Sequence, residues 1–185
     1  MALPRKLKLM NFLADGNSYR GQVTEITQPK LAMKLEEYRA GGMIGPVKVN
    51  LGVEGLEAQF KMGGYMTELI KEFGGKIDGS ALRFAGAYQQ DDTEEVTAIE
   101  LIMRGRFSEI DNGTSKSGDD TEQSYTVPLT YYKIIENGKD LVEIDLLNSI
   151  FIVAALTAWQ NTVQRLASNH HLAPQGAFIK SLPHA

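Results

Sequence analysis

The chain of 185 residues carries 19 basic and 23 acidic side chains, a formal net charge of −4, 43% hydrophobic residues and no cysteine. That length and composition fit one globular domain, or one domain with an appendage, large enough to bury a sizeable core. The missing cysteines exclude a disulfide scaffold, a thiolate nucleophile and any cysteine metal site, and the acidic balance argues against a nucleic-acid reader.

The charge is unevenly placed. Every acidic residue lies at or before Asp145, whereas the last 40 residues hold only Arg165 and Lys180, together with all three histidines and the only tryptophan. Such a break marks a boundary near Ile152 or Val153, dividing the chain into a domain of residues 1–152 and a C-terminal segment of 153–185. The start is basic with only a short apolar patch before Asp15, unlike a secretion signal. The longest apolar stretch, Leu146 to Trp159, is interrupted by Asn148, Ser149 and Thr157 and falls short of the roughly 20 residues that cross a bilayer. A soluble intracellular product is expected.

In chain order, Asp15-Gly16-Asn17 reads as a turn between strands at 11–14 and 18–23. Further strands are expected at 31–39, 47–51, 57–62 and 83–90. Residues 66–73, closed by Gly74-Gly75, read as the one helix before the tail. Period-two alternation is clearest over 97–107, where Ile99, Leu101, Met103 and Phe107 share one side and Glu100, Arg104 and Arg106 the other. Residues between Ile110 and Gln123 contain no large apolar side chain and form a solvated loop; its Asn112-Gly113-Thr114 is a chance match to a glycosylation sequon. Tyr125, Val127, Leu129 and Tyr131 alternate again. Ile134 and Ile135 then lead into a hairpin turn at Glu136-Asn137-Gly138-Lys139 and a strand through Leu141, Val142 and Ile144. Leu156, Trp159, Val163 and Leu166 recur at helical spacing, so a helix is expected from about Ile152 to Ser168.

The chain shows no recognisable catalytic constellation. Gly41-Gly42 with Gly45-Pro46 lacks the spacing of a phosphate-cradling loop and reads as turn or close-packing glycine. The carboxylate pairs Glu36-Glu37, Asp91-Asp92, Glu94-Glu95 and Asp119-Asp120 are sequence neighbours, which a strand points to opposite faces. His170-His171 has no companion at metal-ligand spacing, and no histidine precedes it to serve a serine nucleophile. No cofactor, no metal and no catalytic residue is expected. Tyr38, Tyr65, Tyr88, Tyr131 and Tyr132 leave open a β-sandwich that binds a carbohydrate or peptide ligand.

One stretch is distinctive. Pro29-Lys30-Leu31 through Glu37-Tyr38-Arg39-Ala40-Gly41-Gly42-Met43, followed by Pro46-Val47, resembles the major tail tube protein of contractile-tailed phages and R-type pyocins. LADG at 13–16, LGVEGLEAQF at 51–60, FSEID at 107–111 and YYKIIENGKDLVEIDLLN at 131–148 support the resemblance, which covers about Met1 to Ile152. It implies a mainly β fold, an antiparallel β-sandwich or barrel with one flanking helix. It also implies a structural role, in which six copies close into a ring and rings stack into the inner tube of a contractile tail. Such a tube conducts DNA in a phage or pierces the target envelope in a tailocin. The implied partners are further copies of the chain, the tail sheath protein, baseplate and tail terminator proteins, and DNA passing through the lumen without sequence-specific contact. The implied location is the virion tail or tailocin particle, assembled in the host cytoplasm. Within this frame Tyr38, Arg39, Gly41, Gly42, Met43, Ile44 and Pro46 are the candidate subunit interface, projecting from the barrel onto neighbours. Residues 153–185 carry no such resemblance.

Overall fold

Alternation of apolar and polar side chains sets most of the elements in the computed structural model, which describes residues 3–153 and 156–157. β1 (Lys6–Ala14) turns into β2 (Asn17–Ser18) through Asp15 and Gly16, both at positive φ (47° and 84°), the geometry a two-residue hairpin needs to match strand twist. The strand expected over 18–23 is interrupted. The Tyr19 carbonyl accepts the N–H groups of Gln22 and Val23 at 3.0 and 3.1 Å, which swings Tyr19 into the core and starts β3 (Val23–Thr27) in a new direction. β4 (Met33–Tyr38) and β5 (Val47–Val53) follow, then β6 (Leu56–Gly63) and the short helix α1 (Thr67–Lys71). The remaining strands are β7 (Ser80–Gln89), β8 (Val96–Gly105), β9 (Glu109–Asp111), β10 (Glu122–Glu136), β11 (Lys139–Asp145), β12 (Ile150–Val153) and β13 (Leu156–Thr157).

All strand pairs are antiparallel, and β10 joins two sheets. Its first half pairs with β6 from Glu122 to Leu129 and with β9 from Ser124 to Thr126. Its second half pairs with β8 and β11 as far as Glu136. One layer is thus β3-β6-β10-β9 and the other runs β13-β12-β11-β10-β8-β7-β1-β2. The shared strand makes the molecule a β-sandwich that closes partway to a barrel.

The crossing from one layer to the other is made by a bulge. The register of β10 against β8 shifts between Leu129 and Tyr131, and the burial phase shifts with it: Tyr125, Val127 and Leu129 face inward, then Thr130 and Tyr132. The expectation that Tyr131 continues the inward series is therefore corrected; Tyr132 fills the core and Tyr131 faces out. Opposite the bulge a side chain at Gly105 would overlap the Pro128 carbonyl oxygen, so the close backbone approach requires glycine there.

Between the layers an aromatic cluster forms the centre of the core. Phe60 stacks on Tyr125 with ring centroids 5.0 Å apart, Phe12 lies 4.5 Å from Phe60, and Phe107 meets Phe60 and Tyr125 edge-on at 5.9 and 6.0 Å. Such pairs add about 0.5–1.5 kcal/mol each beyond the area they bury. Leu69 of α1 is 1% exposed and pins the helix to this core. The helix lacks a side-chain cap of its own; Gln123, fully buried, accepts the Met66 N–H at 2.8 Å in its place.

The expected helix starting at about Ile152 begins instead as strand. Val142 to Asp145 of β11 pair with Ile150 to Val153, and the chain turns back as β13. Phe151 packs against the core cluster, within an unbroken apolar run that carries no alternation to mark it as strand. The rest of that expected helix, with Trp159, Val163 and Leu166, lies outside the described residues.

Candidate subunit interface

The segment singled out by sequence forms the tip of a two-stranded arm. β4 and β5 pair with each other, from Met33 opposite Val53 to Tyr38 opposite Val47, and form a sheet separate from the main one. A reversal at the far end is built by Gly42 at φ +86° and by the Met43 N–H donating to the Ala40 carbonyl at 3.2 Å. Tyr38, Arg39, Gly41, Gly42, Met43, Ile44 and Pro46 are brought together by this turn. At the base, the Glu54 N–H donates to the Ala32 carbonyl at 2.9 Å, and Leu31, Met33 and Val53 face Val142, Ile144 and Phe151 across an apolar seam.

The arm is apolar where a monomer's surface would be polar. Tyr38, Val47, Val49 and Leu51 remain 40–56% exposed and Ile44 is fully exposed. Alternation along β5 and the cross-strand pairing of Tyr38 with Val47 put Tyr38, Val47, Val49 and Leu51 on one face, with Glu36 among them opposite Val49. An exposed apolar row of this kind marks an interaction surface. Leu35 at 52% exposure adds to the opposite face.

Elsewhere, the outward face of the large layer is charge-paired. Arg83 meets Glu100 at 2.6 Å, and Lys133 meets Asp140 at 2.6 Å and Glu143 at 3.5 Å. The Tyr131 hydroxyl donates to Glu143 at 2.9 Å. The hydrogen bond to Asp140 leads the causes that hold the Lys133 ammonium above its ordinary range. The tyrosines that suggested a ligand site do not converge. Tyr132 is buried, Tyr131 is committed to Glu143, the Tyr88 hydroxyl accepts from Gln28 Nε2 at 3.2 Å, and Tyr38 and Tyr65 belong to segments attached at opposite ends of β6. Among the described residues no group of three or more His, Asp or Glu side chains is placed to hold a metal ion, and no helix is long and apolar enough to cross a membrane. The three histidines lie outside the described residues.

Comparison with known proteins agrees with the mainly β fold. Residues 4–156 match the family model described as phage tail tube protein FII. The chain is 47% identical over 154 residues to the tail tube protein of Escherichia phage P2, covering 81% of this chain and 90% of that protein. The chain belongs to the phage tail tube family. A second relative, the major tail tube protein of Serratia phage KSP20, is 44% identical over 153 residues, covering 82% of this chain and 88% of that protein. At 11% identity, a chain of the sheath-tube complex of the extracellular contractile injection system PVC in its extended state shares the fold. Its TM-score is 0.52, over 72% of this chain and 91% of that one. The β9 strand and the β12–β13 hairpin were missed from sequence because each is short and carries too few alternating positions to stand out.

Proposed function

We propose that this tail tube protein is the structural subunit of the inner tube of a contractile tail. Six copies close into a ring, and rings stack around a continuous lumen within a sheath, between a baseplate and a terminator. The reading rests on the family membership together with the exposed apolar arm, which has the character of an obligate contact and not of a monomer surface. Tyr38, Arg39, Gly41, Gly42, Met43, Ile44 and Pro46 form the part of the arm that packs on neighbouring copies, and the residues of the tube domain, about 1–152, suffice for this role. The work is mechanical and electrostatic, so it needs no catalytic group.

The charge-paired face of the large layer suits a lumen wall. A cation already held by a carboxylate at 2.6 Å, as Arg83 and Lys133 are, has little attraction left for a passing phosphate, and screening confines what remains to about 8–10 Å. DNA then passes without sticking. Met43→Asp tests the interface: it places an unpaired charge in the arm contact while leaving the core untouched. The variant is expected to keep the wild-type circular dichroism and to sediment as unassembled subunits; wild-type tubes from this variant would remove the arm from the interface.

A further inference from the structure

The arm needs a seat, and the far end of the same molecule offers one. The arm rejoins the body at Leu56, the first residue of β6, and α1 departs after Gly63, its last. Eight residues of strand separate the two by roughly 25 Å. Beside α1, Tyr65, Ile70, Phe73 and Ile110 line a hollow of about 380 Å³ whose rim includes Glu109. An apolar cavity of roughly 150 Å³ already holds a benzene, so this one has room for aliphatic side chains. Tyr65 and Phe73 are 66% and 57% exposed, an unusual fate for two aromatic side chains so close together.

We propose that this hollow between α1 and β9 is the seat for the arm tip of a second copy, a contact that rests on the tube reading above and names its acceptor. The charges agree. The arm tip, residues 38–47, carries Arg39 as its one charge, Lys48 standing opposite Glu37 in the arm's own ladder, whereas residues 108–123 carry Glu109, Asp111, Asp119, Asp120 and Glu122 against the single base Lys116. Lys116 is itself held by Asp119 at 2.6 Å, so the seat presents its negative sign to the incoming tip. Met43 and Ile44 supply an adaptable apolar plug, Gly41, Gly42 and Gly45 let the tip approach closely, and Arg39 faces acidic partners. Plug and seat are two different surfaces of one chain, so the contact is head-to-tail: each copy donates an arm and receives one. A contact of that kind does not saturate in a pair but propagates.

Mixing two variants tests the assignment. Ile44→Asp damages the plug and keeps the seat; Phe73→Asp damages the seat and keeps the plug. Both positions are exposed, and unchanged circular dichroism checks that each folds, with Tyr65→Asp as an independent damaged seat. Each variant alone is expected to lose tube formation. Mixed in equal amounts, Phe73→Asp arms fill Ile44→Asp seats and assembly stops there, giving complexes that hold both variants in equal numbers in sedimentation velocity and no tubes by electron microscopy. If wild-type protein forms tubes but the mixture stays as unassembled as its parts, or if Phe73→Asp and Tyr65→Asp still form wild-type tubes, the seat is wrongly assigned and the tube reading stands. Wild-type protein that forms no tubes would overturn the tube reading and the seat with it.

Discussion

Gln123 is a fully buried polar side chain that serves three partners at once. Its Oε1 accepts the Met66 N–H at 2.8 Å and the Tyr125 hydroxyl at 2.7 Å, while its Nε2 donates to Asn112 Oδ1. One residue thereby caps α1, satisfies a core tyrosine and ties down the loop after β9. Gln123→Ala strands all three partners, and a buried group left unsatisfied costs about 1–3 kcal/mol. Tyr125→Phe removes one donor and leaves the other two contacts intact. Urea unfolding is expected to show Gln123→Ala losing more than 2 kcal/mol and Tyr125→Phe about 1 kcal/mol; equal losses would show that the network does not act through Gln123. Tyr125 and Tyr132 make a second test at this scale, because burial pushes both hydroxyls up to about 12, against about 10 in an unfolded chain. A folded-state pKa raised in this way favours the neutral phenol. The stability it contributes is fully present below pH 10 and is lost as pH rises through about 12. Tyrosinate absorbance from these two residues is expected to appear only together with loss of near-ultraviolet circular dichroism; ionisation near pH 10 in a protein still folded would contradict their burial.

The strands were legible where alternation was long and uninterrupted. Over 97–107 the inward set Ile99, Leu101, Met103 and Phe107 was readable because five periods of two leave no other solution. Where the chain changes phase, sequence alone misled: Leu129, Thr130 and Tyr131 give no sign that a bulge exchanges the faces, since it depends on the close approach of Gly105, across the ladder, to the Pro128 carbonyl of β10. A bulge is a property of two strands, and one strand's pattern does not contain it. The C-terminal end failed differently. Ile150 to Val153 is a run of four apolar residues, which fits a strand or a buried helix equally, and only its pairing with β11 decides. Since that strand crosses position 152, a chain ending after Thr157 is the fair test of whether the C-terminal segment belongs to the fold. If the tube domain stands alone, this truncated chain unfolds within a few degrees of the full chain and assembles as it does. Loss of cooperative unfolding would place residues 158–185 in the core.

At the scale of the whole molecule, the arm was legible as a distinctive segment but its isolation was not. The sequence of 29–53 predicts two strands, yet nothing in it says that they pair only with each other, because that depends on which edges β3 and β6 have already filled. The hollow beside α1 was still less visible: Tyr65 stood only among the tyrosines of a possible ligand site and Phe73 only as the last residue of the expected helix, and their joint exposure follows from the chain geometry after β6. Seen together, the molecule has an aromatic core, charge pairs on the outer face of its large layer, and an arm and a hollow whose apolar side chains its own fold leaves uncovered. A subunit of this design completes its burial only by joining copies of itself. Electron cryomicroscopy of the concentrated wild-type protein addresses that claim most directly. The expected images show hollow tubes with six-fold rings, a continuous lumen, and arm density seated on neighbouring copies. Solitary subunits at every concentration, or closed dimers with the arms buried against each other, would contradict it.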